Sequence, residues 1–267
     1  MLKELLIQTD LTSNSIHINT DSKEIDMAFI HGFSGSHRSW GAVIDRIDRP
    51  LLAVDLPGHG NSSILCDRER YSIDLWAYEF NSIIDGLGIK ELDICGYSMG
   101  GRLAIVFASL YPDRVRSLIL ESASYGIDDV IIREKRLQDD IDLSKRIARS
   151  ISEFVDRWEA GPLFKGQLER NPSGFKEQRD LRLSQDPSQL ALALSCFSQG
   201  RMRSYLDDIL DFDFPVTIIN GGEDHRYVKL GRDLSMCRMG GHYIIDGCGH
   251  NVHLESIDRF LEVLLKC

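Results

Sequence analysis

The sequence predicts an α/β fold, a mostly parallel central sheet flanked by helices, with a helical lid inserted late in the chain. Three observations carry this. Short runs rich in Val and Ile alternate with longer amphipathic stretches; the hydrophobicity inside the runs is continuous; and about 90 residues between two of the runs contain no strand-like segment. Continuous apolar runs suit strands buried on both faces, hence parallel strands joined by helical crossovers. A strandless stretch of that length is too long for a plain connection and reads as an inserted helical unit.

The strand candidates are DMAFIHG, LLAVDLP, LDICGYS, VRSLILES, PVTIINGG and HYIIDGC. The helix candidates are Ser72 to Leu87, Gly100 to Tyr111, Val228 to Met236 and Val252 to Leu265. This divides the chain into a core of residues 1–123 and 206–267 and a lid of residues 124–205. Charge supports the division. The lid holds 14 Lys and Arg against 13 Asp and Glu, whereas the core holds 17 against 28.

The chain has 267 residues, 43% of them hydrophobic and 27% charged, enough to bury a sizeable core. The net charge of −10 has the wrong sign for general attraction to nucleic acid or to an anionic membrane. No apolar run approaches the ~20 residues that span a bilayer. The first residues, MLKELLIQTDLTSNSIHI, lack the apolar core of a signal peptide, and the six cysteines form no CxxC pair or regular framework. The expectation is a cytoplasmic protein.

The strongest chemical signal is Gly96-Tyr97-Ser98-Met99-Gly100, which follows the strand-like Leu92 to Cys95 and precedes a helical stretch. In G-x-S-x-G the glycines permit a tight strand-to-helix turn that exposes the serine hydroxyl, and the helix N-terminus favours developing negative charge. A serine needs a partner to take its proton. Behind this kind of turn an acid and then a histidine follow in chain order. Asp224, after PVTIINGG, and His250, after HYIIDGC, fill those places, ahead of their neighbours Glu223, Asp246 and His253. Ser98, Asp224 and His250 are the expected catalytic triad.

An oxyanion hole needs two backbone N–H groups. Met99 supplies one, and Phe33, in HGFSGS directly after MAFI, is the candidate for the other. The Phe33 ring, His31 and His59 read as structural. Arg102 stands four residues after Ser98 on the same helical face. Desolvating a cation there costs several kcal/mol unless an anion pairs with it. A carboxylate substrate supplies that anion; a salt bridge to a core acid is the alternative.

These residues resemble the α/β-hydrolase superfamily over nearly the whole chain, and within it the 2-succinyl-6-hydroxy-2,4-cyclohexadiene-1-carboxylate synthase (MenH) family of menaquinone biosynthesis. The matching pieces are HGFSGS (31–36), DLPGHG (55–60), GYSMGGR (96–102), ESASYGI (121–127), REKR (133–136), Trp158 with PLF (162–164) and GHNVHLE (249–255). Many superfamily members share the first two; GYSMGGR together with GHNVHLE is far more specific. The chain departs from the family at Tyr125, where proline is common, and in SCFSQGRMRSY.

The resemblance implies a small polycarboxylate substrate bound by Tyr97, Arg102, Arg136, Trp158 and Arg182, with Arg133 as the neighbour that can replace Arg136. It implies no cofactor and no metal. The reaction it implies is an elimination of pyruvate in which Ser98, relayed through His250 and Asp224, acts as base. A carboxylesterase or carbon–carbon bond hydrolase would use the same triad with Ser98 as covalent nucleophile. A hydrolase-fold binding protein would have no need of all three residues.

Overall fold

The computed structural model describes residues 2–20, 24–237 and 239–267. Among the described residues nine strands form one sheet: β1 (Lys3–Gln8), β2 (Thr12–Ile18), β3 (Met27–Ile30), β4 (Leu51–Asp55), β5 (Ser63–Ile64), β6 (Leu92–Tyr97), β7 (Val115–Glu121), β8 (Val216–Gly221) and β9 (Gly240–Ile245). Their order is β1-β2-β4-β3-β6-β7-β8-β9, with β5 paired to β2. From β4 to β9 every pairing is parallel, and the N-terminal strands β1, β2 and β5 join antiparallel. The α/β reading and all six expected strands are present.

Alternate side chains of the central strands enter opposite cores, as the two-residue period of a strand requires. Ala28, Ile30, Leu52, Val54, Ile94, Leu118 and Leu120 face one core with Phe80 and Phe107. Met27, Phe29, Leu51, Ala53, Cys95 and Ile119 face the other with Trp40 and Phe260. Burial on both sides explains why these strands carry continuous apolar runs. β9 is different: it closes the sheet at one edge, and Tyr243 and Ile244 are exposed.

The expected helices are present with shifted ends. Ser72 caps Ile73–Gly86 by accepting from Leu75 N–H. The third begins at His225, three residues ahead of the expected Val228, because Asp224 caps it. The last breaks at Ser256, whose non-helical backbone (φ −149°, ψ 70°) separates Val252–Glu255 from Ile257–Leu264. β1, β2 and β5 had no counterpart in the sequence reading. β2 is TSNSIHI, whose buried polar side chains are satisfied by hydrogen bonds such as Thr12 Oγ1 to Glu79 Oε1 at 2.9 Å and Asn14 Nδ2 to Thr12 Oγ1 at 2.7 Å, and whose Ser15 N–H donates to Ser62 Oγ, so no apolar run marks it.

Between β7 and β8 the regular structure is entirely helical: Val130–Arg149, Ile151–Glu159, Gln167–Arg170, Pro172–Leu183, Pro187–Cys196 and Leu206–Leu210, with short three-ten turns. Asp129, Ser150, Asn171 and Asp186 cap four of these helices, and Pro172 and Pro187 stand in first turns, where proline costs no hydrogen bond. Ile147, Phe154, Val155, Leu190 and Leu194 form a small separate core here, with Phe33 and Trp158 against it. No helix among the described residues is long and apolar enough to cross a membrane.

Candidate functional site

The site is built on the turn between β6 and the helix Met99–Leu110. Ser98 holds φ +51° and ψ −107°, a strained conformation that lifts its hydroxyl off the sheet edge. The turn is possible only because its flanks lack side chains. A Cβ on Gly100 would fall 2.2 Å from the Ile30 carbonyl oxygen, and one on Gly96 would fall 2.6 Å from Gly101 Cα. Ser98 N–H donates to the Glu121 carbonyl at 2.8 Å, tying the turn to the end of β7.

His250 Nε2 lies 3.0 Å from Ser98 Oγ, and His250 Nδ1 lies 2.6 Å from Asp224 Oδ2. The three residues come from loops after β6, β8 and β9 and form one continuous line. The imidazole is buried, with Tyr97 at 5.4 Å and Tyr227 edge-on at 4.6 Å between ring centroids. Such a chain can take the serine proton and return it, with the carboxylate holding the ring's orientation. The neighbours weighed for these places are elsewhere. Glu223 and Asp246 are exposed, and His253 pairs with Glu121 at 2.6 Å.

Met99 is the first residue of its helix, so its N–H has no intrahelical acceptor. Gly32, Phe33, Gly35, Tyr97, Ser98 and His250 line one side of a narrow pocket, and Trp158, Leu163, Phe164, Gln178 and Arg182 of the helical insertion line the other. The Phe33 ring meets His59, Phe154 and Trp158 edge-on at 5.6, 6.0 and 5.8 Å, so the side chain packs. His31 is structural. It hydrogen-bonds the Gly32 carbonyl through Nδ1 at 2.7 Å and takes the Leu56 N–H on Nε2 at 2.9 Å. Burial pulls its pKa down to about 4, and burial with nearby His31 pulls His59 down to about 3.

The expected substrate contacts divide into two groups. Tyr97, Trp158 and Arg182 reach the pocket beside Ser98. Arg182 also pairs with Glu159 at 2.8 Å and lies over the Phe164 ring at 4.7 Å. Arg102, Arg133 and Arg136 do not line that pocket. Arg136 Nε donates to both oxygens of Asp140 at 2.9 Å, and Arg133 Nη1 reaches the Ile127 carbonyl at 3.3 Å.

Arg102 is 8% exposed and donates to the Phe197 carbonyl at 3.1 Å. Among the described residues it has no carboxylate partner, so the alternative of a salt bridge to a core acid is not what the structure holds. Burial first, and the nearby Arg136 second, lower its pKa to about 10. Tyr227, against His250, went unnoticed in the sequence. Its only signal is its position three residues after Asp224, where its N–H meets the Asp224 cap.

The strained serine turn, the parallel sheet and the Ser98–His250–Asp224 line define a protein of the α/β-hydrolase fold, and that family's sequence profile matches residues 27–136. A putative 2-succinyl-6-hydroxy-2,4-cyclohexadiene-1-carboxylate synthase of Bacillus subtilis is 32% identical over 238 residues, 88% of this chain and 87% of the relative. The synthase of that name from Serratia proteamaculans is 27% identical over 88% of this chain and 89% of its own. The solved structure of MenH from S. aureus superimposes with a TM-score of 0.86, at 28% identity over 97% of both chains. The chain belongs to the 2-succinyl-6-hydroxy-2,4-cyclohexadiene-1-carboxylate synthase family. A thermophilic esterase from Thermogutta terrifontis, at TM-score 0.80 and 19% identity, shares the fold.

Proposed function

We propose that this protein is a carbon–oxygen lyase of menaquinone biosynthesis. It eliminates pyruvate from 2-succinyl-5-enolpyruvyl-6-hydroxy-3-cyclohexene-1-carboxylate to give 2-succinyl-6-hydroxy-2,4-cyclohexadiene-1-carboxylate. The observation that carries this reading beyond a generic esterase is Arg102: a buried guanidinium one helical turn behind Ser98 whose sole hydrogen-bond partner among the described residues is a backbone carbonyl. A neutral ester gives such a charge nothing to pair with, whereas a carboxylate does.

In the proposed mechanism His250, oriented by Asp224, takes the Ser98 proton, and the Ser98 oxygen removes the proton adjacent to the succinyl carbonyl. The N–H groups of Met99 and Phe33 hold the enolate oxygen. The electron pair then re-forms the carbonyl and expels the enolpyruvyl oxygen across the ring. The leaving group takes up a proton and departs as pyruvate. No bond to Ser98 is needed, because the hole stabilises an oxyanion of either origin.

Tyr97, Trp158 and Arg182 would hold the ring and its carboxylates beside Ser98, with Arg102 and either Arg136 or Arg133 behind. The helical insertion of residues 124–205 serves as the lid. The pocket at Ser98 has about 30 Å³ of room, space for one or two waters. A second cavity of about 290 Å³, bordered by Leu163, Asp224 and His250, reaches the same imidazole.

The test is pyruvate release from the enolpyruvyl precursor by purified protein, followed beside cleavage of p-nitrophenyl esters. Stoichiometric pyruvate without acyl-enzyme is the expected result. Ester cleavage through an acyl-enzyme, with no pyruvate formed, would overturn the reading in favour of a hydrolase.

A further inference from the structure

Two helices of the insertion, Val130–Arg149 and Ile151–Glu159, follow one another with only Ser150 between them. Leu143, Arg146 and Arg149 from the first and Phe154, Arg157 and Trp158 from the second line a cavity of about 390 Å³, room for a small organic ligand. Helical periodicity explains the grouping. Residues three or four apart share a face, so the end of the first helix turns Leu143, Arg146 and Arg149 the same way, and the second turns Phe154, Arg157 and Trp158.

Three guanidinium groups border this space against one carboxylate, that of Glu153. Glu153 approaches Arg157 only to 3.9 Å, and Arg146 donates to the Asp142 carbonyl at 3.4 Å. Arg149 has no hydrogen-bond or ion-pair partner among the described residues. The local excess of positive charge stands out on a chain of net charge −10, whose surface otherwise repels anions. Between the arginines the lining is apolar: Leu143, Phe154 and Trp158. Trp158 is also a wall of the pocket at Ser98, and the Phe33 ring packs edge-on against both Phe154 and Trp158. The two spaces therefore share one indole, whose Nε1 is buried without an acceptor among the described residues.

We propose that this cavity is an outer binding site for a cyclic polycarboxylate, with Arg146, Arg149 and Arg157 pairing with its carboxylates and its ring lying against Leu143, Phe154 and Trp158. That this anion is the enzyme's own substrate rests on the lyase reading above. Guanidinium forks match carboxylates, and the apolar floor between them favours a ring-bearing anion over a bare inorganic one. A substrate held here is separated from the Ser98 pocket by the Trp158 indole, and it has been drawn to the basic part of a negatively charged protein. The site acts on substrate capture. It leaves the proton transfer at Ser98 to the residues already described.

Phthalate, a ring with two adjacent carboxylates, is the probe, and tryptophan emission is the readout: Trp40 and Trp76 are buried in the core, which leaves Trp158 for a ligand to reach. Phthalate should change the emission saturably and bind more weakly as salt is raised, whereas its neutral dimethyl ester should not bind. The Arg149→Ala/Arg157→Ala variant should weaken phthalate at least tenfold, while Lys145→Ala, an equal loss of charge outside the cavity, should stay within twofold of wild type. In turnover of the enolpyruvyl precursor the same double variant should raise KM at least fivefold with kcat unchanged. Absence of saturable binding, equal losses in Lys145→Ala, equal competition by inorganic phosphate, or an unchanged KM would each overturn the inference. So would binding that survives in the double variant and is lost in Arg102→Ala, since it would belong to the Ser98 pocket. Pyruvate release with none of these changes strikes this inference and leaves the lyase reading standing. Phthalate binding through Arg149 and Arg157 without pyruvate release strikes the lyase reading and supports the anion site.

Discussion

Glu121 and His253 form a closed pair behind Ser98. The His253 backbone N–H donates to Glu121 Oε1 at 2.9 Å and its Nδ1–H to Oε2 at 2.6 Å, both side chains being almost wholly buried. Trp40 stacks on the His253 ring at 4.2 Å, and Tyr97 meets it edge-on at 5.0 Å. The same Glu121 takes the Ser98 N–H on its carbonyl. One residue therefore fastens both the serine turn and the histidine nearest in sequence to His250.

Removing the carboxylate strands a buried imidazole, which costs more than the pair itself contributes. Glu121→Ala should lower unfolding free energy by about 3–5 kcal/mol, read from urea denaturation. A loss under 1 kcal/mol would mean that water replaces the carboxylate.

Ser98→Ala, Asp224→Asn and His250→Ala should each lower turnover at least ~10²-fold with the fold intact by circular dichroism. The Ser98→Ala/His250→Ala double variant should be little worse than either single one, since a relay cannot be lost twice. His253→Ala should weaken stability far more than it weakens turnover at a temperature where the protein is folded. Full turnover in His250→Ala together with loss in His253→Ala would reverse the two assignments.

Arg102→Ala should lower kcat/KM for the polycarboxylate substrate roughly 10- to 100-fold, the value of one or two hydrogen bonds to a charged group. Lysine at 102 should rescue only in part, because a point charge does not reproduce the guanidinium fork. Any neutral ester the protein cleaves should be far less affected. Equal losses on both substrate classes would make Arg102 structural.

His31 gives a pH dependence of stability. Burial, opposed by the charge of Asp55, lowers its folded pKa to about 4, below the ordinary imidazole value of about 6.5. Between these values the unfolded chain binds the proton and the folded one does not, so stability is complete above about pH 6.5 and declines toward pH 4, by ~3 kcal/mol. His59 adds a decline of the same sign. Urea denaturation from pH 7 to 4.5 should show it, and His31→Asn should flatten the slope. An unchanged slope would count against this account.

Gly100→Ala should prevent normal folding, because its Cβ would overlap the Ile30 carbonyl oxygen and neither backbone can yield. Soluble yield and the melting curve would report it. A well-folded Gly100→Ala protein would mean that the serine turn is looser than described.

The parallel sheet and the serine turn are legible in the sequence alone. Strands buried on both faces must be continuously apolar, and a serine turn of this geometry needs glycine at 96 and 100, so both leave a local signature. Tertiary structure alone decided what depends on partners far apart in the chain. β2 is a strand because Ser62 and other distant groups satisfy its buried polar atoms, which no local pattern records. The register of Arg102 behind Ser98 is compatible with a core acid or a ligand, and only the packing of Phe197 against it places a backbone carbonyl at its guanidinium. His250 and His253 are equivalent by composition. They are distinguished by what faces them, Ser98 and Asp224 in one case and Glu121 in the other, and that is fixed by how β7 and β8 lie side by side.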